Sequence, residues 1–183
     1  MAYYYFDFRD VKKQDCYGLV SSLVSQLSAE SDSCYNVLSK LYSDNSRGMR
    51  KPGIGALKKC LADMLSLPGQ GQIYIIVDAL DECPNFPGTP SAREDVLEFV
   101  KEIVNLKLPN VNLCVASRPE VDIRSVLGPL TTLKISLHEE IGQKKDINEY
   151  IDSIVHSDLS MRRWKEEDKQ LVVDTLSSKA DAM

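Results

Sequence analysis

Short runs of strand-forming residues alternate with longer stretches of helical periodicity along this chain, and that alternation constrains its fold more than any other feature. The four runs are Tyr3–Phe8, Ile73–Asp78, Val111–Ser117 and Thr132–Leu137. They are apolar almost throughout rather than at every second residue, a pattern typical of strands covered on both faces. Parallel strands need a long crossover between them, usually a helix. The order therefore predicts an α/β fold with a three-layer parallel sheet.

Helical segments are predicted between these strands and after the last one. Ser91 and Glu94 form a Ser-x-x-Glu capping box in front of an apolar stripe at steps of three and four residues, which predicts a helix start. After the fourth strand, further helical periodicity extends to the end of the sequence. We therefore predict an α/β core over residues 1–140 and a C-terminal helical extension of the same domain over residues 141–183.

Composition argues against several classes of protein. The 183 residues carry a net charge of −5 and no basic stripe, so there is no electrostatic basis for binding nucleic acid. The longest uninterrupted apolar runs are far shorter than the ~20 residues of a membrane-spanning helix, and no secretory signal is visible. Five cysteines without a Cys-x-x-Cys pair argue against a disulfide framework or a zinc site. We expect a soluble, cytoplasmic protein with neither a membrane nor a nucleic-acid partner.

Acidic residues follow the second strand at the position where chemistry is expected. Asp78 ends the apolar run, and Asp81 and Glu82 follow within the next turn. Open α/β sheets bind ligands outside the carboxyl ends of their strands. Mg²⁺ is usually held there by one or two carboxylates together with substrate phosphates. The acids are therefore candidates for positioning a metal and activating a water. Alternatively, Asp78 only begins a turn and Asp81 caps a neighbouring element.

A second constellation follows the third strand. Val111–Ser117 ends in Ser117 and Arg118, and if this strand lies beside Ile73–Asp78, the guanidinium reaches the same crevice as the acids. The planar fork of an arginine matches phosphate oxygens, so Arg118 is a candidate for contacting a terminal phosphate. The structural alternative is an ion pair between Arg118 and Asp81 or Glu82.

Three sequence segments together resemble a known family, the NACHT-type NTPases of the STAND class of P-loop ATPases. The segments are the aromatic strand Tyr3–Asp10, the acidic strand IYIIVDALDEC at Ile73–Cys83 and the strand LCVASRPE at Leu113–Glu120. The chain looks most similar to the fungal, nephrocystin-like branch, whose likeness extends through Gly142–Ile151 and Met161–Lys165 and so covers essentially the whole chain.

The resemblance implies a role for each candidate residue. Asp78 would hold Mg²⁺ through water, Asp81 and Glu82 would polarise the attacking water as catalytic acids, and Ser117 and Arg118 would contact the nucleotide. The implied cofactors are Mg²⁺ and ATP or GTP. The implied parent is a nucleotide-dependent signalling switch within a multidomain receptor, with repeat domains as partners and possible homo-oligomerisation.

The sequence departs from the family in lacking its phosphate-binding loop. Phosphate binding in this fold needs a glycine-rich loop ending in Gly-Lys-Ser/Thr, whose backbone N–H groups cradle the phosphates. The sequence has no such motif: Gly53 with Gly55, and Gly69 with Gly71, are its only close pairs. In the family this Walker A loop and its strand precede the segment matching Tyr3–Phe8. The resemblance therefore implies an N-terminally truncated domain that binds nucleotide poorly alone.

The departure also has a consequence for the sheet. In the family the P-loop strand is central, between the strands matching Val111–Ser117 and Thr132–Leu137. We therefore expect an incomplete sheet of the P-loop NTPase type, with a gap beside Val111–Ser117 or a poorly anchored last strand.

Two readings from other functional classes stay open. The first is a non-catalytic interaction module or pseudo-NTPase, in which the acids persist without turnover. The second is a receiver-like domain with Asp78 as phosphoacceptor. It would need a further acidic pair, which Asp7 and Asp10 weakly provide, and a strand-end lysine, which no residue provides.

Overall fold

The structure, a computed structural model, describes residues 1–45, 48–85, 91–136 and 141–180, with the side chains of 141–144 and 180 left out. The chain divides into two compact units, Met1–Thr131 and Thr132–Met183. The first unit is mixed α/β and the second is helical. This division follows spatial proximity and does not test the predicted segments 1–140 and 141–183, which stay a prediction.

The sheet lies in the first unit and is parallel, as predicted. Its strands are β1 (Ala2–Tyr5), β2 (Ile73–Asp78) and β3 (Val111–Val115), in the order β1-β2-β3. Tyr5 is opposite Asp78, and Val77 is opposite Val115. Because the strands run in one direction, their carboxyl ends form one edge of the sheet, which we call the rim.

Seven helices surround or follow the strands in the part of the chain that the structure describes. They are α1 (Cys16–Glu30), α2 (Asp32–Asp44), α3 (Ile54–Leu65), α4 (Ala92–Asn105), α5 (Val121–Leu127), α6 (Ile141–Ser157) and α7 (Glu166–Ala180). The predicted capping box is present: Ser91 Oγ accepts from the Glu94 backbone N–H at 3.1 Å, and the Glu94 carboxylate accepts from the Ser91 N–H at 3.3 Å. These bonds satisfy two N–H groups that would otherwise lack partners at the start of α4.

Among the described residues of the first unit, the apolar core packs against one face of the sheet. Alternate strand residues such as Ile75 and Val77 are fully buried in one apolar cluster that includes side chains of α1, α3 and α4. On the opposite face Tyr3, Tyr5 and Tyr74 are 55%, 46% and 51% exposed. The predicted third layer is therefore not formed by the described residues of this unit. The sequence pattern counted tyrosine as apolar, but its hydroxyl group tolerates water.

The two edges of the sheet differ. At β1, Gln26 of α1 imitates a neighbouring strand: its Oε1 accepts from the Tyr3 N–H at 3.0 Å, and its Nε2 donates to the Tyr3 carbonyl at 2.7 Å. At β3, Ala116 N donates to Val77 O, so alternate backbone groups, including those of Leu113, point away from β2. No further strand among the described residues pairs with them. β3 is therefore an edge strand among the described residues, and the gap expected beside Val111–Ser117 stays a prediction, because no strand is seen beyond it.

The fourth predicted strand, Thr132–Leu137, is not observed. Residues 132–136 have no regular secondary structure, and Leu137 lies outside the described residues. Leu133 and Ile135 are exposed. A strand is stable only when a neighbour takes up its N–H and C=O groups, and local sequence does not supply that neighbour. The strand prediction is therefore wrong over residues 132–136.

The second unit is built on α6 and α7. Val155 of α6 and Val173 of α7 are its buried apolar side chains among those described. His156 of α6 lies 2.7 Å from the Glu166 carboxylate at the start of α7. Within the described ranges, no helix has the length and apolar character needed to cross a membrane.

Candidate functional site

The chain turns sharply where β2 reaches the rim, in a segment that we call the acidic turn (residues 78–83). Ala79 adopts a left-handed conformation, with φ of 52° and ψ of 43°, and Leu80–Glu82 form a single 3₁₀ turn. Leu80 is fully buried, and its N–H donates to the Ala116 carbonyl at 3.1 Å. Alanine bears the Cβ–carbonyl clash of this conformation, a cost of roughly 1–2 kcal/mol that glycine would avoid. A β-branched side chain would raise that cost further.

Asp78, the predicted metal ligand, is exposed at the end of β2. Its Oδ1 accepts from the Ala79 N–H at 2.8 Å, and its backbone carbonyl accepts from the Phe6 N–H at 3.1 Å. No cluster of three or more metal-ligating side chains occurs among the described residues. One carboxylate fits a magnesium ion that is held mainly by phosphate oxygens and water, and does not fit a site built from protein ligands alone.

Asp81 and Arg118 come together as the strand order implies. The Arg118 backbone N–H donates to Asp81 Oδ1 at 3.0 Å, and its Nε lies 3.6 Å from Asp81 Oδ2. Asp81 is mostly buried, whereas the Arg118 side chain is 84% exposed. The structural alternative, an Arg118–Asp81 ion pair, is therefore present. An exposed guanidinium in such a pair gains little from it and exchanges partners readily.

Ser117 and Glu82 complete the set of predicted site residues. Ser117 is exposed, and its Oγ donates to the Arg118 carbonyl at 2.8 Å. Glu82 Oε2 accepts from the Phe8 N–H at 3.2 Å, just beyond the end of β1. The acidic turn therefore contacts the segments that follow both neighbouring strands: Asp81 reaches the one after β3, and Glu82 reaches the one after β1.

Arg93 is the residue of this site that the sequence analysis missed. It is buried near the start of α4, where its Nη2 donates to the Asp81 carbonyl at 2.6 Å and its Nε donates to the Cys83 carbonyl at 2.9 Å. Nη1 lies 3.3 Å from Asp122 Oδ2. One signal was present in the sequence: a basic residue in the first turn of a helix opposes the helix dipole, so it needs a specific partner.

Several of these residues line an open cleft of about 440 Å³ at the rim. Its lining contains acidic and basic residues, and neither Asp78 nor Ser117 is among them. The lining residues are Phe8, Gln14, Asp81, Glu82, Cys83, Pro84, Arg93, Arg118 and Glu120.

Cys83 contributes no nucleophile to this cleft. Burial raises the pKa of its thiol to about 12, with a smaller opposing effect from Arg93. The Cys83 Sγ lies 3.3 Å from the Gln14 carbonyl, in the position of a donor. A thiol with so high a pKa carries almost no thiolate at neutral pH and serves as a small core residue.

Comparison with known proteins gives one further finding. A family model described as Nephrocystin 3, N-terminal, matches residues 1–118. The matched region contains all three strands and ends at Arg118, so every predicted site residue lies inside it. No curated protein and no solved structure matches the chain.

Proposed function

The chain belongs to the nephrocystin 3 N-terminal family, and from that premise we propose that its rim acts on the phosphates of ATP or GTP in a NACHT-type signalling NTPase. In this proposal the domain is a nucleotide-dependent switch within a multidomain receptor. The P-loop character of the fold and the role of the acids belong to the proposal and rest on the resemblance of the strands and their terminal residues.

The bond between the Arg118 N–H and the Asp81 carboxylate, at 3.0 Å, carries the proposal. It joins the acidic turn after β2 and the Ser-Arg segment after β3, which each suggested phosphate chemistry in the sequence. They meet at the edge of a parallel sheet where ligands of α/β folds bind. Any segments that follow β2 and β3 would lie close together, because the two strands are neighbours. The support for the proposal comes from the residues that meet there, an acid and an arginine.

Each residue then has a defined task. Asp78, exposed at the end of β2, would orient a water of a magnesium ion that neutralises phosphate charge. Glu82 and Asp81, fixed by bonds to backbone N–H groups, would polarise the attacking water. Arg118, whose guanidinium is largely in solvent, would exchange its contact with Asp81 for a phosphate oxygen. Ser117 lies next to it and can donate its hydroxyl to the same oxygen.

The sequence has no Gly-Lys-Ser/Thr loop, so these residues would tune a nucleotide that they do not themselves hold. We expect calorimetry to detect no binding of Mg²⁺-ATP by the 183-residue chain up to millimolar concentration. At higher concentration, NMR should show shifts of the Ser117, Arg118 and Glu82 amide signals, because the rim still contacts phosphate weakly.

Asp78→Asn should abolish the part of these shifts that depends on Mg²⁺ and should leave the rest. Asp63→Asn is the matched control, since Asp63 is an exposed acid of α3 and no residue of α3 lines the cleft. Shifts that avoid the rim, or that are unaltered by Asp78→Asn, would contradict the roles assigned here. Tight binding in the calorimeter would show that a Gly-Lys-Ser/Thr loop is not required.

A second candidate function is supported by the same contacts. Both oxygens of Asp81 lie near groups of Arg118, and Glu82 holds the Phe8 N–H. The acids therefore already stabilise the rim, as expected of an interaction module or pseudo-NTPase. Complete absence of amide shifts at every Mg²⁺-nucleotide concentration would favour this candidate.

A further inference from the structure

We infer that Arg93 is a positioning residue that couples helix α5 to the acidic turn. The structure alone supports the claim that Arg93 positions the acidic turn. Any effect of Arg93 on catalysis depends on the proposed function. It touches none of the groups assigned to the nucleotide, and acts through the backbone of the turn that carries Asp81 and Glu82.

Because Arg93 is buried, its hydrogen-bond donors need partners within the protein. An arginine is rarely buried unless its donors are satisfied, because an unpaired charge away from water is costly. Arg93 meets this requirement with two backbone carbonyls and one carboxylate. The carbonyls belong to Asp81 and Cys83, the residues on either side of Glu82. A single planar guanidinium therefore donates hydrogen bonds to the turn on both sides of Glu82.

The carboxylate comes from α5, the helix that follows the Arg118 segment. Asp122 lies in the first turn of α5 and receives Arg93 Nη1 at 3.3 Å and Asn85 Nδ2 at 3.0 Å. A rotation or shift of α5 moves Asp122, and the rigid fork of Arg93 transfers that movement to the two carbonyls.

The consequence reaches the far side of the rim. Glu82 accepts from the Phe8 N–H at 3.2 Å, so a change in the turn alters that bond. Phosphate contact at Arg118, which is three residues before the start of α5 at Val121, would affect Glu82 by this route in addition to the direct bond from the Arg118 N–H to Asp81. The coupling is reciprocal, as any equilibrium coupling between two sites must be.

Amide hydrogen exchange of the Phe8 N–H tests the coupling in the 183-residue chain without nucleotide. We expect Asp122→Asn to speed its exchange about tenfold relative to the Ala116 N–H, on the scale of weakening one hydrogen bond to a charged group. The Ala116 N–H, donated to Val77 O at 2.8 Å, serves as reference because it reports general loosening of the same sheet.

Two further variants isolate Arg93. Arg93→Lys keeps the charge but loses the fork, so it should speed Phe8 exchange by itself, and adding Asp122→Asn should then change little. Glu102→Gln is the control: it breaks an ion pair of α4 with Lys58, at 3.0 Å, and should leave the Phe8-to-Ala116 ratio unchanged.

The inference is overturned if Asp122→Asn leaves the ratio unchanged, or if its effect persists in full beside Arg93→Lys. Should Arg93→Lys fail to fold, Asp122→Asn alone decides, since an unchanged ratio still refutes coupling and a raised one supports it. Because no nucleotide is present, a silent nucleotide titration would count against the proposed function and not against this coupling.

Discussion

Replacing Gly18 with alanine should destabilise the first unit, although alanine is the better helix former. A Cβ at Gly18 would lie 2.5 Å from the Lys12 carbonyl oxygen and 2.8 Å from the Tyr4 hydroxyl oxygen. Both distances are shorter than any ordinary carbon–oxygen contact. The Lys12 carbonyl belongs to the 3₁₀ turn Val11–Lys13 and cannot move without displacing that turn.

The expected change in the free energy of unfolding follows from one stabilising and two destabilising contributions. Alanine gains ~1 kcal/mol over glycine inside a helix. Overpacking of a close-packed site costs ~1–3 kcal/mol. Displacing the Tyr4 hydroxyl, which donates to Lys12 O at 3.3 Å, costs a further ~1 kcal/mol. The balance is a net loss of roughly 1–3 kcal/mol in the free energy of unfolding.

Gly55 provides the matched control. It is the second residue of α3, and no heavy atom lies within 4 Å of the Cβ it would acquire. Gly55→Ala should therefore stabilise the protein by ~0.5–1 kcal/mol, since only the lower entropy of the unfolded chain and the helix propensity change.

Urea unfolding, followed by methyl NMR signals of Leu19 and Leu23 in the core of the first unit, measures both variants. The two midpoints should move in opposite directions. If Gly18→Ala raises the midpoint as Gly55→Ala does, the close approach of the Lys12 carbonyl to α1 is wrong.

The remaining predictions concern the edge of β1 and the helix pair. Gln26→Leu removes both hydrogen bonds to Tyr3 and should lower the free energy of unfolding by ~1–2 kcal/mol. It should also promote self-association through the edge of β1 that it uncovers. An unchanged urea midpoint together with an unchanged sedimentation profile would contradict this role. Bonding of His156 to the Asp152 carbonyl, and then to the Glu166 carboxylate, raises the histidine's pKa. Its contribution to stability is therefore complete below the ordinary histidine pKa and lost as pH rises through the raised value. Thermal unfolding followed by Trp164 fluorescence should show this dependence, and His156→Gln should remove it.

Local signals predicted the elements that local physics controls. The capping box of Ser91 and Glu94 joins residues three positions apart, so its bonds could be inferred from spacing alone. The strands Ile73–Asp78 and Val111–Ser117 were recognisable because β-branched and apolar runs have few alternatives. Their parallel pairing followed from the intervening helix, and with it the meeting of Asp81 and Arg118.

Predictions that depended on distant partners did less well. Thr132–Leu137 has the composition of a strand, but a strand exists only beside another. The exposed tyrosines of β1 and β2 look apolar in a sequence pattern, although one face of the sheet leaves their hydroxyl groups in water. Arg93 gave only a weak signal, because its partners lie at 81, 83 and 122, far apart along the chain.

The amino-acid order by itself determined that this chain forms a parallel α/β sheet and which polar residues end its strands, because propensity, periodicity and crossover geometry act over short distances. Tertiary structure alone decided that the described tyrosines on one sheet face stay exposed, that Gln26 closes one edge, and that Arg93 holds the acidic turn. Those outcomes depend on groups brought together from separate segments, and their energies arise only once the chain has folded.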